Sequence, residues 1–103
     1  MIMCVFCNLP DSVKLMNNEQ FFVIKDKHPD SPGHCLVVSN RHVQTFFDLS
    51  VEEAAALRDI CLKAKVWLDE KYQPTGYNLL INHGASAGQS VFHFHLHLIP
   101  RYG

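Results

Sequence analysis

The sequence predicts an α+β fold in which one long helix lies against a small antiparallel sheet, in two layers. Three observations predict it: a capped helical periodicity over Val51–Tyr72, four short runs rich in β-branched and aromatic residues, and turn-forming stretches between them. The 103 residues are 48% hydrophobic and 18% charged, the composition of one folded domain. A chain of this size buries only somewhat more than about 60% of its unfolded surface, so the core is thin and association or a bound metal adds to it.

Gln20–Lys25 (QFFVIK) reads as the first strand. Asp26–Gly33 (DKHPDSPG) carries two prolines and a glycine and turns the chain. His34–Ser39 (HCLVVS) then resumes strand character, so the pair forms an antiparallel hairpin with a long loop. Ser50 and Glu53 match a capping box, and Leu57, Ile60, Cys61, Ala64, Trp67 and Leu68 share one helical face. Gln73-Pro74-Thr75-Gly76 stops the helix. Tyr77–Asn82 (YNLLIN) and Val91–Ile99 (VFHFHLHLI) follow as strands, separated by His83–Ser90 (HGASAGQS).

The net charge of −1, with both signs interspersed, gives no basic field to hold polymeric nucleic acid or an acidic membrane. No apolar run approaches the roughly 18 residues of a membrane span, and Met1–Pro10 lacks the layout of a signal peptide. The expected location is the cytosol. Four cysteines are present, and in a reducing compartment the close pair Cys4 and Cys7 reads as a metal or redox pair. Cys35 and Cys61 lie in apolar surroundings and read as small core residues.

Histidine is the anomaly: seven copies, four of them within Asn82–His97. Along a strand, alternation sends His93, His95 and His97 to one face and Phe92, Phe94, Leu96 and Leu98 to the other. Near neutral pH an imidazole serves as nucleophile, proton donor or metal ligand, and three in a row do not choose among these. Ahead of them, Gly84-Ala85-Ser86-Ala87-Gly88-Gln89-Ser90 is a run of small residues. Its backbone N–H groups and the Ser90 hydroxyl suit close approach to an anion.

GQSVFHFHLHLIPR resembles the signature of the histidine-triad (HIT) superfamily, whose alternation of histidine and apolar residues matches His93–Ile99 throughout. Asp26–His42 is similar to that family's second block and Cys4-Val5-Phe6-Cys7 to its frequent opening. The resemblance implies a HIT-like α+β fold as one domain over residues 1–103. It further implies an antiparallel sheet of about five strands, one long and one short helix, and a sheet extended across a homodimer.

The resemblance also implies a site. His95 would attack the α-phosphorus of a purine nucleotide, forming a nucleotidyl-histidine that water hydrolyses. His97 would bind phosphate oxygen and assist proton transfer, and His34 would support the triad. Asn82, Gly88, Gln89 and Ser90 match phosphate or leaving-group contacts, and Asp26 matches the carboxylate that accepts the ribose hydroxyls. Val5, Phe6, Leu9 and Ile24 match an apolar base pocket. Histidine at 97, where transferase branches carry glutamine, argues for a hydrolase of nucleoside phosphoramidates or dinucleoside polyphosphates.

Cys4, Cys7, His42 and His93 match a structural zinc site, closed and tetrahedral in kind, and no catalytic metal is expected. Two readings compete: a nucleotide-binding module with negligible turnover, and a metalloenzyme holding its ion on His93, His95 and His97. His28 and His83 have no role in the motif. Many relatives continue past the triad strand, where this sequence reads Arg101-Tyr102-Gly103; the expectation is a more open, less selective site.

Overall fold

The capping box forms as its residues predict. Ser50 Oγ accepts the Glu53 N–H and the Glu53 carboxylate accepts the Ser50 N–H, starting α1 (Val51–Tyr72). The helix ends where Gln73 turns left-handed, φ 54°. The computed structural model describes residues 4–103, so the first three positions of the Met1–Pro10 stretch lie outside it. Before α1 come β1 (Met16–Asn17), β2 (Phe21–Lys25) and β3 (Cys35–Ser39); after it come β4 (Gly76–Leu80) and β5 (His95–Arg101). The five strands form one antiparallel sheet in the order β1-β2-β3-β5-β4. The short helical pieces are 3-10 turns at Asp11–Val13, Phe46–Asp48 and Ala85–Ala87.

Several boundaries depart from the sequence reading. β1 is two residues long, too short to leave a periodic signal, and exists through its pairing with Phe22 and Val23. β5 starts at His95 instead of Val91, because Phe94 leaves the regular ladder to bond Val43 O through its N–H and Ser39 N through its carbonyl. Phe92 therefore stays 45% exposed and does not pack with Phe94, Leu96 and Leu98. β4 stops at Leu80, short of Asn82, whose side-chain amide turns into the following loop toward Gly88 O.

Register decides which side chains share a face. Phe21, Val23, Cys35, Val37, Leu96 and Leu98 line the face beneath Leu57, Ile60, Ala64 and Leu68 of α1. Cys61 and Trp67, expected on the same helix face, flank this core half-buried. The opposite face carries Phe22, Ile24, Leu36 and Val38 with Phe6 and Leu9 packed on them. Cross-strand pairing extends two of its rows: Phe22–Val38–His95 and Ile24–Leu36–His97. One face of the sheet builds the core and the other presents two histidines beside an apolar floor.

Two devices fix the approach to that face. Gly33 has φ +90°, and a Cβ there would come within 3.1 Å of Leu68 and Tyr72 and 3.2 Å of Pro100; only glycine turns the chain so tightly into His34. Arg41 donates through Nε and Nη2 to Glu53 Oε2 and Oε1 at 3.1 and 2.8 Å, tying the segment after β3 to the start of α1.

The Arg41 guanidinium, aided by the Ser50 N–H, holds the Glu53 carboxyl at about 2, well below its ordinary 4.5. A carboxylate held low stabilises the fold fully above its unfolded value and loses that contribution as pH falls from about 4.5 toward about 2. Glu53→Gln should lower stability at neutral pH by about 1–2 kcal/mol. Denaturant titrations across the acid range should show a smaller loss on acidification in the variant; an unchanged acid limb would remove the pair from the account.

Candidate functional site

The rows that end in His95 and His97 give each imidazole a defined set of partners, and the partners assign the protons. His95 Nδ1 lies 2.9 Å from the His93 carbonyl. A carbonyl only accepts, so Nδ1 carries the hydrogen and Nε2 is left with its lone pair. The His95 ring is buried to 8% exposure, with the Phe6 ring edge-on at 5.2 Å. The geometry fixes the tautomer of the neutral ring, with the hydrogen on Nδ1 and the lone pair on Nε2.

His34 and His97 form a second assigned pair. The Asp30 N–H donates to His34 Nδ1 at 3.0 Å, so neutral His34 carries its hydrogen on Nε2. That Nε2 lies 3.0 Å from His97 Nδ1, which therefore accepts and leaves Nε2–H of neutral His97 as a donor. Asp26 Oδ2 sits 3.3 Å from His34 Nε2 and 3.6 Å from His97 Nδ1. Burial pushes the His97 imidazole below its ordinary value, the charges of His95 and His34 push it further, and Asp26 and Asp30 oppose them.

His93 does not join these two. Its Nε2–H donates to the Ser39 carbonyl at 2.7 Å, and its Nδ1 faces Cys4 Sγ at 3.1 Å and Cys7 Sγ at 3.6 Å. Cys7 Sγ lies 3.0 Å from His42 Nδ1. All four donor atoms lie within 4.8 Å of one another. A tetrahedral zinc ion sets sulfur and nitrogen ligands about 3.6 Å apart, close to these spacings. The set fits chemically as well: a ligating histidine characteristically gives its second N–H to a carbonyl, as His93 does to Ser39. Cys4 hydrogen bonding, followed by burial, pushes the Cys7 thiol up to about 11, a shift that a bound cation reverses. Three imidazoles around one catalytic ion are not assembled here, because both nitrogens of His93 point elsewhere.

The loop before β5 is held by Gln89. Its side-chain oxygen accepts the Gly84 N–H at 2.8 Å, and its amide nitrogen donates to Gln44 O at 2.8 Å and Val91 O at 3.2 Å. The buried Gln89 side chain braces the loop, and its backbone N–H bonds Gly84 O. Asn82 braces Gly88, which has φ +93°, while the Ser90 side chain is exposed. Phe6, Leu9 and Ile24 come together on the sheet face. Val5 parts from them, 60% exposed on a cleft of about 400 Å³ that Ser90, Val91 and Phe92 also line. His28 and His83 are exposed. Ser39, Asp30 and Gln44 were missed from sequence because they act through backbone groups, which every residue type has.

The HIT domain family profile matches residues 9–103. The chain belongs to the HIT family. Among solved structures, this HIT protein is similar to a HIT family protein from Bacillus anthracis, at 39% identity and a TM-score of 0.89, covering 97% of this chain and 74% of that one. It is also similar to a zinc-bound histidine triad family protein from Mycobacterium smegmatis, at 32% identity and a TM-score of 0.85, covering 97% of this chain and 76% of that one. A curated relative, Adenylylsulfatase HINT3 of Arabidopsis thaliana, is 35% identical over 105 residues, which is 95% of this chain and 52% of the relative.

Gln89→Ala would leave the Gly84 N–H and Gln44 C=O without their partners. The loss of three hydrogen bonds from a buried position, the one to Val91 O included, should lower stability by about 1–3 kcal/mol. Denaturant unfolding together with proteolysis of the 83–90 loop checks this, and an unaltered midpoint would show that the loop does not need the brace.

Proposed function

We propose that this HIT protein is a nucleotide hydrolase that acts at the α-phosphate of nucleoside 5′-phosphoramidates or dinucleoside polyphosphates. One observation supports the reading: the His93 carbonyl holds His95 Nδ1–H, so that in the neutral ring the lone pair lies on Nε2. In the proposed reaction that nitrogen attacks phosphorus, the leaving group departs with a proton from His97, and water then releases the nucleoside monophosphate. Phe6, Leu9 and Ile24 would receive the base by apolar contact with few polar groups, so discrimination among purines should be low. Ser90 borders a cleft that Val5 and Phe92 also line. Asn82, Gly88 and Gln89 would shape the phosphate loop from which Ser90 acts.

Cys4, Cys7, His42 and His93 would hold a zinc ion whose contribution is structural: two thiolates and two imidazoles leave no open position for water. The whole chain would act as one domain, in the cytosol, as a homodimer. Among the described residues no helix is long and apolar enough to cross a membrane. The dimer reading is supported by apolar side chains left in water: Leu79 at 58% and Leu80 at 46% exposure on edge strand β4, and Leu62 and Val66 one turn apart on α1. A bare strand edge flanked by such residues invites pairing with a second copy.

Release of AMP from adenosine 5′-phosphoramidate and from a diadenosine polyphosphate should fall by at least roughly 1000-fold in His95→Ala, since the reaction loses its nucleophile. Equal background rates in wild type and variant would favour a nucleotide-binding module without turnover. Metal analysis should find about one zinc per chain in protein purified without chelator, and chelation should lower the melting temperature while leaving turnover per folded molecule largely intact. Turnover abolished by chelator in protein that stays folded would instead support a catalytic metal.

A further inference from the structure

The Cys4-x-x-Cys7 spacing suits a redox pair as well as a metal pair. The two residues close one turn, the Cys7 N–H donating to Cys4 O at 3.2 Å, and their sulfurs lie within 4.8 Å of each other. Cys7 is exposed and Cys4 half-buried, so one sulfur meets solvent while the other stands behind it. The remaining cysteines differ. Cys35 is sealed in the core with its thiol on Gly33 O, and Cys61 is half-buried against the same core.

Phe6 lies between the two cysteines of the turn. Its ring stands edge-on to His93 at 5.8 Å and to His95 at 5.2 Å, and it packs with Leu9 on Phe22, Ile24, Leu36 and Val38. The ties made by the two sulfurs therefore help to place a wall of the apolar pocket.

We propose that Cys4 and Cys7 form a reversible redox pair, which a hydroperoxide joins as a disulfide and which thereby lets Phe6 leave His95. Its effect on binding rests on the nucleotide reading above, and its effect on a metal on the zinc reading. Because His93 gives its Nε2–H to Ser39 O, its Nδ1 only accepts, and the Cys4 thiol 3.1 Å away is the donor. Cys7 Sγ makes the corresponding contact to His42 Nδ1 at 3.0 Å. A disulfide sulfur has no proton to donate and no negative charge to offer a cation. Oxidation therefore cuts the turn from His42 and His93 in both forms of the tie, thiol to imidazole and thiolate to metal. The apolar packing of Phe6 and Leu9 is then left to hold it.

The steps balance. The Cys7 thiolate attacks one oxygen of hydrogen peroxide, the O–O bond breaks, and a sulfenic acid and hydroxide result. The Cys4 thiolate then attacks the Cys7 sulfur; the S–S bond forms, the S–O bond breaks and a second hydroxide leaves. The two protons that the thiols gave up turn both hydroxides into water. Two electrons pass from the sulfurs to the peroxide. A dithiol such as dithiothreitol reverses the change by two exchanges and ends as its own cyclic disulfide.

The test compares the chain purified without chelator, fully reduced or treated with hydrogen peroxide. Oxidation should lower the free thiols counted after denaturation from four to two. It should leave the tryptic peptide Met1–Lys14, which holds both cysteines, about 2 Da lighter, and release about one zinc per chain to a chromogenic chelator. The Kd for AMP should rise about 3- to 10-fold as the Phe6 contact loosens, and dithiothreitol with added zinc should restore it. Phe6→Ala should bind AMP as weakly before oxidation and lose little more on it. Peroxide that leaves all four thiols free, or that carries Cys7 past the sulfenic acid with no disulfide, would overturn the redox pair and leave the zinc site standing. A disulfide that forms while AMP affinity stays unmoved would overturn it too. The same disulfide and the same loss of affinity in protein that carried no zinc would uphold the pair and remove the zinc site. Reduced protein that binds no AMP would overturn the nucleotide reading, and the switch with it.

Discussion

The antiparallel register of β3 against β5 is the constraint on which the other features depend. Val38 opposite His95 and Leu36 opposite His97 put both imidazoles on the face away from α1. Val37 opposite Leu96 and Cys35 opposite Leu98 put the apolar partners beneath the helix. A slip of one residue would exchange the two sets, driving imidazoles into the core and leucines into the site. The hydrophobic effect therefore enforces the site indirectly: the core is stable only in the register that presents His95 and His97. The same register carries the apolar floor, since Phe22 and Ile24 continue the two rows through β2.

Within that frame, backbone carbonyls and amides decide the chemistry of the imidazoles. His93 O sets the tautomer of His95, Ser39 O that of His93, and Asp30 N that of His34, which in turn sets neutral His97. These partners are fixed by strand and loop geometry and need no side-chain rearrangement. An imidazole held in this way is preorganised, which is what the nucleophile of the proposed reaction would need. Three histidines on alternate positions thereby acquire separate tasks, one facing two thiols, one with a free nitrogen and one beside a carboxylate.

Legibility in the sequence followed the length of the signal. The helix was readable because its Ser50–Glu53 box and its apolar stripe agree over 22 residues, and its bounds match. Strands β2 and β3 were readable from compact apolar runs, each starting one residue later than expected. The two residues of β1 were not, since their pairing comes from tertiary contact. Phe92 was misplaced because alternation was extended past the point where Phe94 leaves the ladder to bond Val43 and Ser39. The four residues of the Cys/His cluster and the association of His34 with His97 were named from family resemblance; composition and spacing left their roles open. Gln89 lay within the matched motif, yet nothing in its identity says that its amide is spent on Gly84, Gln44 and Val91.

His93 is where the two halves of the site meet. Its ring turns to Cys4 and Cys7 while its carbonyl holds His95, so a residue pinned by the N-terminal turn also orients the imidazole of His95. The pinning is shared. Phe94 N–H bonds Val43 O at 2.6 Å, Ser39 N–H bonds Phe94 O at 3.3 Å, and His93 Nε2–H bonds Ser39 O, all independent of the cysteines. Loosening the Cys/His cluster would therefore free the N-terminal turn, and with it Phe6 above His95, before it disturbed the carbonyl that sets the tautomer. A cation held there would contribute first to the stability of the fold and the shape of the apolar pocket, and only through them to the chemistry proposed at His95.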